Sequence, residues 1–221
     1  MRQWVSLILV VIGCGLLGYV GGQYWFMIHT QRQLEAAWQA QDNARIAGKE
    51  TTPKGSTSVF AATSSFPQTS PLAAAAGDGQ PLTRLVIPRI KLEAIVVEGT
   101  DSQRLMAGPG HIGDTATPGE TGNAVITAHR DTFFRHIFEL EKGDTITIQR
   151  EGRLFRYEVT GKKVVSPNDL SVLAPTTDAQ LTLITCFPIY YIGPAPDRLV
   201  VSSKLVPQES EPLGTRPANA H

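Results

Sequence analysis

The stretch TITIQREGRLFRYEV, residues 145–159, alternates apolar and polar side chains on either side of a Glu-Gly pair. A period of two is the period of a half-buried strand. Strand, two-residue turn and strand make a hairpin. Outward from this hairpin, β-rich runs recur at 82–90, 92–97, 124–128, 162–165, 181–185 and 199–205, with Gly143-Asp144 marking a further turn. About eight short strands with close turns predict a mainly β domain over 82–206, a closed barrel or a sandwich. Residues 133–140 and 167–173 are expected to form short helical turns. No internal repeat is present.

The chain has 221 residues, enough for one domain plus appendages. Its 20 Lys and Arg are balanced by 20 Asp and Glu, for a formal net charge of zero. A nucleic-acid binder needs a basic footprint, so that class of partner is not expected. The two cysteines, Cys14 and Cys186, lie far apart, one in an apolar run and one near a strand end. They form no disulfide framework. Cys186 is therefore either core filler or a reactive thiol.

Residues 4–22 read WVSLILVVIGCGLLGYVGG, 19 residues without a charge. That is about the length that crosses a hydrocarbon core. Trp4 precedes the run, and Tyr24, Trp25 and Phe26 follow it, where amphipathic rings favour a membrane interface. An N-terminal transmembrane helix is expected, with residues 1–28 as anchor, the N-terminus in the cytoplasm and the remainder exported. A cleaved signal peptide competes with this reading, but no A-x-A-like site follows the run. Lipid modification at Cys14 also competes, but the apolar run continues past it.

Residues 29–81 are expected to be a stalk and tether. Helix formers at 31–47 extend the anchor into water, with Leu34, Trp38 and Ile46 too sparse for a buried face. From 48 to 81 the chain is rich in Thr, Ser, Ala, Pro and Gly. Such a segment cannot offset its ordering entropy. As random coil it would reach roughly 30–35 Å. The tail at 207–221 is polar and expected to be disordered.

Three residues in 82–206 can carry chemistry together. Cys186 ends the apolar run 181–185 and opens a loop containing Pro188, Gly193, Pro194 and Pro196; Arg198 starts the next strand. Neighbouring antiparallel strands bring such positions to one mouth of the sheet. His129 ends the run 124–128. A thiolate is a nucleophile, a nearby imidazole can give and take protons, and a guanidinium fork can stabilise an oxyanion. Each residue also has a structural reading. Cys186 could be a buried small hydrophobe, His129 a surface or capped histidine, and Arg198 a salt-bridge partner of Asp197 or Asp131. Zinc held by Cys186, His129 and His111 lacks the usual close ligand spacing, so no metal or cofactor is expected. His111 is read as a turn residue and His136 as a rim residue. Asp114 and Glu120 are read as solvated turn residues.

The local motifs add to this reading. Thr127-Ala128-His129-Arg130, the TLITC run ending at Cys186, and Arg198 resemble the signature of the sortase family, in order and in spacing. Gly108-Pro109-Gly110-His111 resembles the loop that precedes the histidine strand there. The His-Arg-Asp run at 129–131 and the short barrel most resemble class D or Gram-negative-type sortases. The resemblance implies a barrel of about eight strands, with Cys186 as nucleophile, His129 as acid/base and Arg198 as carbonyl stabiliser. It implies a protein substrate with a C-terminal LPxTG-like sorting motif, and an amine acceptor. A peptidase using the same thioester, or a tethered barrel that only binds, would be the alternatives.

Overall fold

The computed structural model describes residues 2–50 and 82–207. A long helix, α1 (Arg2–Glu50), leads into a β domain. The strands are β1 (Thr83–Ile87), β2 (Leu92–Glu98), β3 (Gly110–His111), β4 (Gly122–Thr127), β5 (Thr145–Arg150), β6 (Arg153–Val165), β7 (Ala179–Phe187) and β8 (Asp197–Leu205). They close into a barrel in the order β1-β2-β3-β4-β7-β8-β6-β5. The predicted eight-strand barrel is thus the observed one. Short 3-10 turns occur at Pro88–Ile90, Ile137–Glu139 and Leu170–Leu173.

The opening hairpin forms as its sequence predicts. Arg150 pairs with Arg153 across the turn. Glu151 and Gly152 both adopt positive φ, 55° and 66°. That is the conformation a tight two-residue hairpin requires. The expected runs at 154–159 and 162–165 are one strand, β6, with a bulge between Val159 and Gly161. The first run stops early because Pro88 begins a 3-10 turn, which Lys91 closes in the left-handed region at φ 52°. Two elements were not expected. α2 (Ser102–Ala107) starts where the Asp101 carboxylate accepts from the Gln103 and Arg104 amides, an N-cap. His111 lies in a strand rather than a turn.

Burial follows the strand patterns. β1 and β5 bury alternate residues. Inside the barrel, Leu85, Ile126, Phe134, Ile146, Tyr157 and Leu183 belong to one core. β2 is different, with Ala94, Ile95, Val96 and Val97 all buried. Val96 faces the core, whereas Ile95 and Val97 face outward onto Leu34 of α1. Leu34 is fully buried, which corrects the expectation that the helix lacks a buried face.

Polar contacts reinforce that seat. Gln31 Nε2 donates to the Ile95 carbonyl at 3.2 Å and to the Ala107 carbonyl at 2.6 Å. Its Oε1 accepts from the Ile95 amide at 2.9 Å. One side chain thereby occupies backbone groups on an edge that the two-residue β3 is too short to cover. Arg84 pairs with Glu35 at 3.2 Å and lies over the Trp38 ring at 4.9 Å. The Leu82 amide donates to Gln41 at 3.3 Å. The barrel is therefore fixed directly to the helix. Residues 48–50, expected to open the tether, instead end α1; residues 51–81 of the predicted tether and 208–221 of the predicted tail lie outside the described residues. By length and composition α1 is able to cross a membrane.

Candidate active site

β4 and β7 run parallel, with Thr127 opposite Ile184. The Ala128 amide donates to the Ile184 carbonyl at 3.2 Å. The Thr185 hydroxyl donates to the Ala128 carbonyl at 2.7 Å. Extended by two residues, that register puts His129 level with Cys186 on strands about 4.8 Å apart. On the other side of β7, Cys186 is the direct antiparallel partner of Arg198 on β8. Directly opposed residues share a face. The three sequence-predicted residues thus meet, and the side-chain parity of Arg198 matches that of Cys186.

The face they share is the outer one. Leu183 and Leu199 point into the core. Ile184 and Val200 point outward, packed with Val125. His129, Cys186 and Arg198 have the outward parity and sit at the upper ends of their strands, half-buried. Val125, Ile184 and Val200 form an apolar floor below them. Val172 and Leu173, from the loop between β6 and β7, pack against that floor.

Buried polar groups fix this wall. The Asn123 amide nitrogen donates to the Val172 carbonyl at 2.9 Å and the Ala174 carbonyl at 3.2 Å. Its oxygen accepts from the Thr182 hydroxyl at 2.7 Å. Asp169 caps the turn by accepting from Ser171, whose hydroxyl holds the carboxyl below its ordinary pKa.

Arg198 Nη1 donates to the Asp197 carbonyl at 2.9 Å and to the Ala195 carbonyl at 3.4 Å. Among the described residues it makes no ion pair with Asp197 or Asp131, and no hydrogen bond occupies its Nε or Nη2. A guanidinium tethered at one nitrogen keeps its other donors for a ligand. Cys186 carries a free thiol.

Sequence reasoning passed over Arg130. Its Nη1 donates to the Pro188 carbonyl at 3.0 Å. Its Nη2 donates to the carbonyls of Tyr191 at 2.9 Å and Gly193 at 2.7 Å. The guanidinium also lies 5.9 Å from the Tyr191 ring centroid. One side chain thus binds the β7–β8 loop to the residue after His129. The His-Arg pair was visible in the sequence; the carbonyls were not, because main-chain acceptors leave no residue signature.

His111 has the opposite parity to these residues: it pairs with Ile126, a core-facing residue of β4, beside Glu98 at the end where β2 finishes. It is buried, with Nδ1 2.9 Å from Glu98 and Nε2 3.0 Å from the Ala116 carbonyl. Burial, the largest single influence, pulls its pKa down, but the hydrogen bond and charge of Glu98, with the Ala116 carbonyl, outweigh it and the net shift is upward. Both ring nitrogens are committed, so His111 is not available to share a metal with Cys186. Nearby, the Tyr157 hydroxyl accepts from the Gly119 amide at 2.8 Å. Gly119 has φ 101°, and a Cβ there would meet the Phe155 ring at 2.6 Å, so the loop closes that end through a glycine. Asp114 and Glu120 are exposed, as expected of turn residues.

The chain has relatives among known proteins. Residues 85–206 match the family model described as the Sortase domain. The chain is 34% identical to Sortase D of Bacillus subtilis strain 168 over 212 residues, covering 93% of this chain and 100% of that protein. It is 32% identical to Sortase A of Listeria monocytogenes over 106 residues, covering 46% of this chain and 47% of that one. Among solved structures, a Clostridium perfringens Sortase D5 transpeptidase superposes with TM-score 0.54 at 32% identity, covering 59% of this chain and 82% of that one. Sortase A from Corynebacterium diphtheriae gives 0.55 at 34% identity, covering 58% and 62%.

Proposed function

From the chain's membership of the sortase family, and hence its standing as a cysteine transpeptidase, we propose that it cleaves an LPxTG-like C-terminal sorting motif and passes the acyl group to an amine. The observation that carries the site assignment is the Cys186–Arg198 pair with His129 level on the neighbouring strand. The Cys186 thiolate attacks the carbonyl carbon of the motif's Thr-Gly bond. Negative charge moves to the carbonyl oxygen, where the unoccupied donors of Arg198 stabilise it. The C–N bond then breaks, His129 gives its proton to the leaving amine, and a thioester remains. An incoming amine attacks the thioester, His129 takes the amine's proton, and the C–S bond breaks to release the Cys186 thiolate.

The apolar floor and the wall at Val172 and Leu173 support an extended, partly apolar peptide lying along the outer face. The uncharged run at residues 4–22 supports anchoring in the cytoplasmic membrane, with the barrel on the extracytoplasmic side. A reporter active only in the cytoplasm, fused at the C-terminus, should stay silent.

The decisive test incubates a motif peptide with and without triglycine and separates the products by mass. The transpeptide should dominate at saturating amine, because a positioned amine outcompetes bulk water. If only hydrolysed peptide appears, at a rate that amine does not change, the enzyme is a peptidase instead.

A further inference from the structure

The packing of α1 fixes which end of the barrel faces the apolar run. Met27 and Tyr24 line a cleft with Ile90, Leu92 and Phe133, at the turn between β1 and β2 and in the loop after β4. Four residues on from Met27, Gln31 holds Ile95 in mid-strand. Further on, Gln41 holds Leu82, just before β1. The helix therefore descends the barrel from the end where β2 begins. That is also the end where β4 and β7 finish, with His129 and Cys186.

The spacing is short. Gly22 closes the apolar run and Met27 follows five residues later, about 8 Å along a helix. The polar layer beside a hydrocarbon core is about 5–8 Å deep. The upper rim of the barrel is thus level with the outer edge of that layer, and any loop projecting past the rim enters it. The β7–β8 loop, residues 188–196, projects from this rim. Its tip carries Tyr190, Tyr191 and Ile192, exposed by 74%, 48% and 97%. A nearly fully exposed isoleucine beside two exposed tyrosines is costly in water and suited to the lipid interface, where amphipathic rings collect. The loop is also held in shape, by the three carbonyls on Arg130 and by the edge contact of Tyr190 with Phe138, 6.4 Å between centroids.

We infer that Tyr190, Tyr191 and Ile192 form a second membrane contact, seated in the interface of the bilayer that α1 crosses, so that the Cys186 groove opens beside the lipid surface. The inference rests on the reading of residues 4–22 as a membrane anchor. It gives the exposed tip an occupant of one kind, a lipid headgroup layer. It also brings the Cys186 groove to the height of the lipid surface.

The test uses the full chain in liposomes, in a Cys14→Ser, Cys186→Ala background. An environment-sensitive fluorophore is attached to Ile192→Cys, to Glu120→Cys in the loop at the far end of the barrel, or to Leu17→Cys in the apolar run. Quenching by spin-labelled lipid is then read at each site. We expect strong quenching at 17, clear quenching at 192 that is several-fold above that at 120, and little at 120. Quenching at 17 with 192 no different from 120 overturns the inference and leaves the anchor standing. An unquenched 17 removes the anchor and the inference with it.

Discussion

Cys186 and Arg198 are directly paired residues of β7 and β8, projecting from the same outer face of the barrel. A thiol and a guanidinium set at one register position by two nine-residue strands need no loop to bring them together.

Replacing Cys186 by Ala should abolish acyl transfer while the barrel stays folded. The side chain is half-buried at a strand end, so its loss costs on the order of 1 kcal/mol or less. Peptide turnover and a thermal melt, measured side by side, check both halves. Retained acyl transfer would refute the nucleophile assignment.

Arg198→Lys should lower kcat about 10²- to 10³-fold, the range for losing one oxyanion donor. Its Nη1 is tied to the Asp197 and Ala195 carbonyls. A compact ammonium cannot hold those carbonyls and also present a planar fork. Near-normal steady-state kinetics would assign Arg198 a purely structural role.

Arg130→Ala should free the β7–β8 loop and reduce peptide turnover by about tenfold or more, since small misplacements of positioning groups are costly. Arg130→Lys should recover only part of this, because one ammonium cannot reproduce the forked contacts to Pro188, Tyr191 and Gly193. Amide hydrogen exchange across residues 188–194 should rise in parallel. Unchanged exchange would separate Arg130 from loop order.

His111 should make stability depend on pH without touching the chemistry. Its pKa is raised in the folded barrel by Glu98, against the pull of burial. The protonated ring is thus favoured by folding. The stabilisation is complete below the ordinary histidine pKa of about 6.5 and is lost as pH rises through the folded value. Melting temperatures should fall across that window in the wild type and stay flat, at a lower level, in His111→Gln. A wild-type profile as flat as the mutant's would contradict the ion pair.

Leu34→Ala should loosen α1 from the barrel, at a cost of about 2–5 kcal/mol for a fully buried leucine. Limited proteolysis within residues 38–50 should accelerate, while turnover of a soluble peptide in detergent persists. Resistance equal to wild type would place the helix seat elsewhere.

The barrel and the grouping of Cys186, His129 and Arg198 were legible because their signals are local. Alternation at 145–159 and a strand-end Cys, His and Arg can be read from short windows. What stayed hidden depends on partners far along the chain. The run Ala94-Ile95-Val96-Val97 does not alternate, and a strand buried on both faces reads that way. That run announced a cover on the outer face of β2, though not that Leu34, Gln31 and Trp38 supply it. His111 looked like a turn residue because its context is Gly-Pro-Gly. Its carboxylate partner, Glu98, is thirteen positions away on another strand.

The parallel pairing of β4 with β7 also bears on how the protein acquires its activity. Thr185 and Ala128, which lock the two strands, are 57 positions apart. Parallel pairs of this kind carry high contact order and form slowly, because a long loop must close before any contact rewards it. Cys186 meets His129 only once that loop has closed. Until then Cys186 lies apart from the strand that brings His129 beside it. The proposed site is thus a product of barrel closure, absent from the chain's unfolded stages.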